Sequence, residues 1–270
     1  MNAIKLISAI LGICLFFGNS ASGQNKDTTN LEALLIVGHL EDGTSSAMKR
    51  MDVIANLFIE NGVKVHKFYD DEANWDEITK VSENCNFLVY RGHGSNLGTN
   101  GNAGGICINS MVSTFKLMQE LKLKDNALVL FKSVCNGAGS SADDDEDIGI
   151  VEAKNRVTHY AYPFFEIGAS AYYANNYVAG TYRFLKDFFS GIPLKEAYLN
   201  STKHFTTVEF EEVFSRDETK FISIASTPGG GTAIRTSYTN GVKKVESIKS
   251  PKGYKIAYVG AADFSIKDMK

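Results

Sequence analysis

A three-layer α/β/α sandwich on a mostly parallel sheet, with a small β-rich C-terminal extension, is the fold class that this sequence predicts. Three observations predict it. Short apolar runs at residues 31–40, 63–69, 86–91, 127–134 and 170–174 are bounded by polar turns, as strands of a covered parallel sheet are. Segments with helical spacing separate them, which is the alternation of an α/β domain. After about residue 205 the helical spacing stops, and short strand-like segments with Gly-rich turns follow.

The elements follow in order. Lys5 carries the one charge ahead of an apolar run at residues 6–17, and small and polar residues fill 18–23. This is the pattern of a secretory signal peptide, with cleavage expected before Gln24. An uncleaved anchor is the rival reading, but the run is shorter than the roughly 20 residues a spanning helix needs. A lipoprotein cut before Cys14 is disfavoured, because Cys14 lies inside the run behind bulky Ile13. A secreted or periplasmic protein is therefore expected. Residues 24–30 form a polar lead, 31–204 the main domain, and 205–270 the extension, packed on the same domain.

Residues 31–40 read as a strand buried on both faces. Residues 44–60 read as a helix, with Met48, Met51, Ile54, Ala55 and Phe58 on one side and Asn61–Gly62 as its stop. A second strand at 63–69, a short helix at 74–83 and a third strand at 86–91 come next. A Gly- and Asn-rich loop spans 92–105. A helix is expected at 111–121, a fourth strand at 127–134, a helix at 148–165 and a fifth strand at 170–174. Helices at 182–190 and 194–201 are split by Gly191 and Pro193. In the extension, strands are expected at 221–226, 232–238, 242–248 and 255–259, with Asn240–Gly241 as a hairpin turn.

Composition narrows the function. The formal charge is −3, with no basic stripe and no later segment apolar enough to span a bilayer. Nucleic acid and anionic membrane are therefore not expected as partners. Once Cys14 leaves with the signal, Cys85, Cys107 and Cys135 remain, an odd number for an exported chain. A free thiol in an oxidising compartment calls for a reason. Cys85 and Cys107 form either a disulfide or two buried thiols.

In open parallel sheets, ligands bind beyond the carboxyl ends of the strands. There the sequence places His39, Glu41 and Asp42, then Asp70 and Asp71, then Arg91–Gly94, then Ser133–Gly137, then Asn175 and Asn176. His93 and Cys135 each follow an apolar strand directly and each is followed by Gly or Asn-Gly. If the third and fourth strands are neighbours, a thiol and an imidazole meet at one edge, as nucleophile and acid–base. The N–H groups of Gly94 and Cys135 can then point at a developing oxyanion.

The run LVYRGHGS at 88–95 resembles the strand-His-Gly motif of clan CD cysteine peptidases, the caspase-like group, and VLFKSVCNGAG at 129–139 resembles their strand-Cys motif. Cys135 follows His93 by 42 positions, against about 50 in caspases. Residues 162–174 and 184–198 resemble the helix-strand and helices that follow the nucleophile. VGAADF at 259–264 resembles a closing element of gingipain-like domains without its Pro. The gingipain and clostripain branch is the nearest, with CHAT domains second. The resemblance implies the caspase-like fold and a secreted cysteine endopeptidase acting on peptide or protein substrates. Cys135 would be its nucleophile, His93 its general acid, and no cofactor would be needed. A catalytically silent binding module on the same fold and a transpeptidase are the alternatives. Ser133 stands where clostripain-type enzymes carry an Asp that reads basic side chains, so that specificity does not transfer. Glu41, Asp42, Ser133, Tyr173 and Asn175 are the candidates for a substrate pocket. The acidic run Asp143–Asp147 is most simply a solvated loop, although a calcium ion or a cleavable activation loop is open there.

Overall fold

A computed structural model describes residues 30–95, 104–205, 208–215, 218–239 and 242–269. The expected signal peptide, most of the polar lead, the Asn240–Gly241 turn and much of the Gly/Asn-rich loop lie outside these residues.

The chain begins with β1 (Glu32–Val37), α1 (Thr44–Glu60), β2 (Lys64–Tyr69), α2 (Trp75–Ser82) and β3 (Phe87–Arg91). Next come β4 (Ile106–Cys107), β5 (Met111–Val112), α3 (Thr114–Glu120), β6 (Ala127–Lys132), α4 (Gly149–Phe165) and β7 (Ala169–Asn175). The last third holds α5 (Gly180–Phe189), α6 (Leu194–Thr202), β8 (Glu211–Ser215), β9 (Glu218–Thr227), β10 (Thr232–Thr239), β11 (Val242–Lys249) and β12 (Gly253–Gly260).

Eight strands form one sheet in the order β2-β1-β3-β6-β7-β12-β9-β8. The first five are parallel, and β12, β9 and β8 add antiparallel. The C-terminal region therefore completes the central sheet, and β12, the last strand of the chain, pairs directly with β7. Among the described C-terminal strands, only the β10–β11 hairpin stays out of it.

Side chains alternate across β1, β3 and β6, so each strand feeds two cores. One face packs α1, α5 and α6 through Met51, Phe58, Phe184, Phe188 and Tyr198. The other packs α2, α3 and α4 through Ile78, Leu117, Val157, Tyr160 and Phe164. Burial on both faces explains why these strands read as unbroken apolar runs.

The helix expected at 111–121 begins later. The Ser113 side chain accepts the Lys116 N–H and caps α3, while Met111–Val112 pairs with Ile106–Cys107 as a small ribbon. Capping by Ser outweighs the apolar spacing that precedes it. The two-residue strands β4 and β5 are too short to leave a periodic signal.

Phe131 is fully buried, with ring contacts to Tyr90, Tyr160, Phe164 and Tyr172 at 5.1–5.7 Å between centroids. Phe131→Ala should lower the unfolding free energy by about 3–5 kcal/mol, read from denaturant midpoints. A loss under about 1 kcal/mol would mean that this aromatic cluster does not hold the sheet to α4.

Candidate functional site

β3 and β6 are hydrogen-bonded neighbours in parallel register, with Tyr90 opposite Phe131. The turns that leave them, Gly92–Ser95 and Ser133–Gly139, therefore emerge side by side. They also touch. A Cβ on Gly94 would run into the carbonyl oxygen of Cys135 and lie 2.7 Å from the Tyr160 hydroxyl. A Cβ on Gly92 would strike the Tyr90 ring. Glycine on each side of His93 is what allows the imidazole turn to lie on the cysteine turn.

Tyrosines support the histidine turn from below. The Tyr90 hydroxyl accepts the Cys107 N–H at 2.8 Å and lies within donating distance of the carbonyls of His93 (2.8 Å) and Cys107 (2.9 Å). The Tyr160 hydroxyl donates to Ser95 O at 3.1 Å. Burial pushes the Tyr160 phenol up to about 12, so it stays a donor at neutral pH.

The cysteine turn is wound tightly. Ser133 and Asn136, on either side of it, have positive φ of 52° and 65°. Ser133 donates its N–H to Asn175 O at 2.9 Å, and its own carbonyl receives the Arg91 guanidinium. The Asn136 amide joins the two turns. Its Nδ2 donates to Ser95 O at 3.1 Å, and its Oδ1 accepts from Arg156 at 2.9 Å. Arg156 also binds Asp144 at 2.8 Å and Glu152 at 2.8 Å, so part of the acidic loop is tied to α4.

Cys135 is a free, half-buried thiol. Arg91 and Lys255 both lie in electrostatic range of it. Burial lowers both cations, and a Cys135 thiolate acts in the opposite direction on each. The N–H groups of Gly94 and Cys135 donate to no other described residue. Cys85 and Cys107 are also free thiols, so the two are not joined in a disulfide. Burial raises the Cys85 thiol to about 12 and, with the nearby Glu41 carboxylate, raises Cys107.

The predicted pocket residues divide. Glu41 sits at the dyad, but its carboxylate meets His93 Nε2 at 3.1 Å, with both side chains nearly half exposed. It is a partner of the imidazole and not a free pocket acid. Among the described residues no hydrogen bond joins His93 to Cys135. Asp42 pairs with Lys243 of the β10–β11 hairpin at 2.7 Å. That hairpin leaves β9 and re-enters β12 at the carboxyl edge of the sheet, and through Lys243 it reaches across to the end of β1. Ser133 contributes backbone, and its hydroxyl faces Asn176 O at 3.4 Å.

Tyr173 is a correction. It is fully buried, stacks on Phe184 with centroids 3.8 Å apart, and cannot wall an open pocket. Strand alternation turns it toward α5. Asn175 is buried as well, bonded to the Tyr173 hydroxyl and the Tyr177 N–H, but unlike Tyr173 it borders a cavity at the end of β7. Among the described residues no group of three or more His, Cys, Asp or Glu is placed to hold a metal ion. Asp144 goes to Arg156 and Ser141 N, and Asp147 to Tyr254 and Gly149 N.

The sequence placed Asn136 at this edge but not as a link between the two turns, and it did not mark Arg156, Tyr90 and Tyr160 as parts of the site. Only Arg156 carries a local hint, its i,i+4 spacing from Glu152. The sequence matches no protein-family model and no curated protein.

Two measurements follow from this geometry. Asn136→Ala should cost about 1–3 kcal/mol of stability, because it removes two part-buried hydrogen bonds, to Ser95 O and from Arg156, and places Ala at a positive φ. Asn136→Gly keeps the positive φ, so full stability in that variant would show that the bracket contributes nothing. The second concerns Lys132, buried at the end of β6 with its ammonium on Val178 O at 2.7 Å. Burial, with Arg91 and Arg50 adding repulsion, holds it down to about 8. The unfolded chain then binds more protons than the native state between that value and about 10.4, so stability rises with pH across the window. Lys132→Met should flatten that rise and add about 1–3 kcal/mol at pH 7. An unchanged pH profile would contradict this.

Proposed function

We propose that this protein is a cysteine peptidase acting outside the cytoplasm, with Cys135 as nucleophile and His93 as general acid–base. The observation that carries the reading is the contact between two turns leaving neighbouring parallel strands, one bearing the thiol and the other the imidazole, closed by Gly94 against the Cys135 carbonyl.

The chemistry follows from the groups in place. Cys135, as a thiolate beside the positive charges of Arg91 and Lys255, attacks the carbonyl carbon of a bound peptide. The oxygen takes up negative charge and is received by the unspent N–H groups of Gly94 and Cys135. His93 gives a proton to the leaving amine, which departs with the C–N electron pair. It then takes a proton from water, which cleaves the thioester. A resting His93–Cys135 hydrogen bond is not required, because catalytic contacts tighten when substrate binds. The caspase-like resemblance of the two motifs supports the same assignment. The engagement of His93 with Glu41 is also what a silent binding module on this fold would show.

Peptide acyloxymethyl ketones of varied side chain separate the two readings. Mass mapping should place the adduct on Cys135, with labelling abolished in Cys135→Ala and slowed about 100-fold or more in His93→Ala. Labelling of Cys107 or Cys85 instead, or equal rates with and without His93, would overturn the peptidase reading in favour of the silent module.

A further inference from the structure

The carboxylates near the dyad are largely engaged within the molecule. Glu41 meets His93, Asp42 meets Lys243, Asp70 meets His39 and Asp144 meets Arg156. The cations on the α1/α5 side are not so engaged. Arg91, Lys132 and Asn175 stand abreast at the ends of β3, β6 and β7, on the face that packs α1 and α5. Arg50 of α1 is close enough to repel the Lys132 ammonium. Among the described residues none of Arg50, Arg91 and Lys132 has a carboxylate partner.

Asn175 continues this row into a cavity of about 490 Å³ between the end of β7, α5 and α6. Its lining carries the basic side chains of Arg183, Lys186, Lys203 and His204, against the single carboxylate of Asp187. Asp187 accepts from Asn200 at 3.1 Å, and none of the four basic side chains has an acidic partner among the described residues. In a chain of net charge −3, the lining of this cavity is thus predominantly cationic.

We propose that this cavity is a subsite for an acidic side chain, so that the protein selects peptides carrying Asp or Glu close to the scissile bond. The inference rests on the peptidase reading for its orientation. Neighbouring strands are about 4.8 Å apart and an extended peptide advances about 3.3 Å per residue. The cavity therefore receives a side chain within about four residues of the carbonyl held at Cys135. The Asn175 carbonyl, bonded to Ser133 N–H, ties the cavity floor to the cysteine turn.

Two experiments on the full mature chain keep this inference apart from the reading beneath it. In the first, Cys135→Ala protein is titrated with fluorescent peptides that differ only in Asp, Glu, Ala or Lys at each of four positions on either side of a central bond. The acidic peptides should bind about tenfold tighter than their lysine counterparts at one or more positions. The double variant Arg183→Glu/Lys186→Glu, on the exposed side of α5, should abolish that preference, and Lys203→Glu should weaken it. Equal binding, preference for lysine, or an acid preference that survives both variants overturns the subsite. In the second, active protein is assayed for turnover of the same set. Turnover with no acid preference overturns the subsite and leaves the peptidase standing. Acid-selective binding with no turnover of any peptide leaves the subsite standing and overturns the peptidase.

Discussion

The parallel register of β3 against β6 is the constraint on which the candidate site depends. It places Tyr90 opposite Phe131, and with them the turns that carry His93 and Cys135. Because both strands are buried on both faces, a slip of one residue would turn every core side chain to the wrong layer. The pairing is therefore held by two cores, and the relative position of thiol and imidazole inherits that rigidity. The close approach of Gly94 to the Cys135 carbonyl then leaves little freedom for the turns themselves.

Polar groups finish what the sheet begins. Asn136 links the Ser95 carbonyl to Arg156, and Arg156 links α4 to Asp144. Tyr90 and Tyr160 hold the histidine turn from the α4 side. These are buried or half-buried contacts, where losing a partner costs more than the bond itself contributes. Against them stand the positive φ of Ser133 and the buried charge of Lys132. Both reduce stability, and both lie within three residues of Cys135. Destabilising features that cluster at one place are what a functional site looks like in physical terms.

Much of this was legible in the sequence because burial on both faces leaves an unmistakable mark. Residues 127–134 and 86–91 read as strands since almost every position is apolar, and one crossover between them made adjacency the simplest topology. Helices α1 and α2 were legible for similar local reasons, α1 through its apolar spacing and its stop at Asn61–Gly62. The C-terminal strands β9 to β12 were legible individually, but β8 (Glu211–Ser215) was not, nor was the place of these strands in the sheet. That β12 pairs with β7 is a long-range choice that no local pattern encodes. Tyr173 misled because a strand end is also a strand, and alternation sent its ring into the core. Asn136 was invisible as a bracket because its partners, Ser95 and Arg156, are distant in the chain.

The account reduces to one geometric claim, that a carbonyl attacked by Cys135 finds the Gly94 and Cys135 N–H groups and His93 waiting around it. The most direct measurement is a crystal structure of the mature protein reacted with a peptide aldehyde. The account predicts a bond from the Cys135 sulfur to the aldehyde carbon. It predicts the resulting oxygen within hydrogen-bond reach of both N–H groups, about 2.7–3.1 Å, and the imidazole turned from Glu41 toward the adduct. An adduct whose oxygen points to solvent, or an aldehyde attached elsewhere while Cys135 stays free, would contradict it.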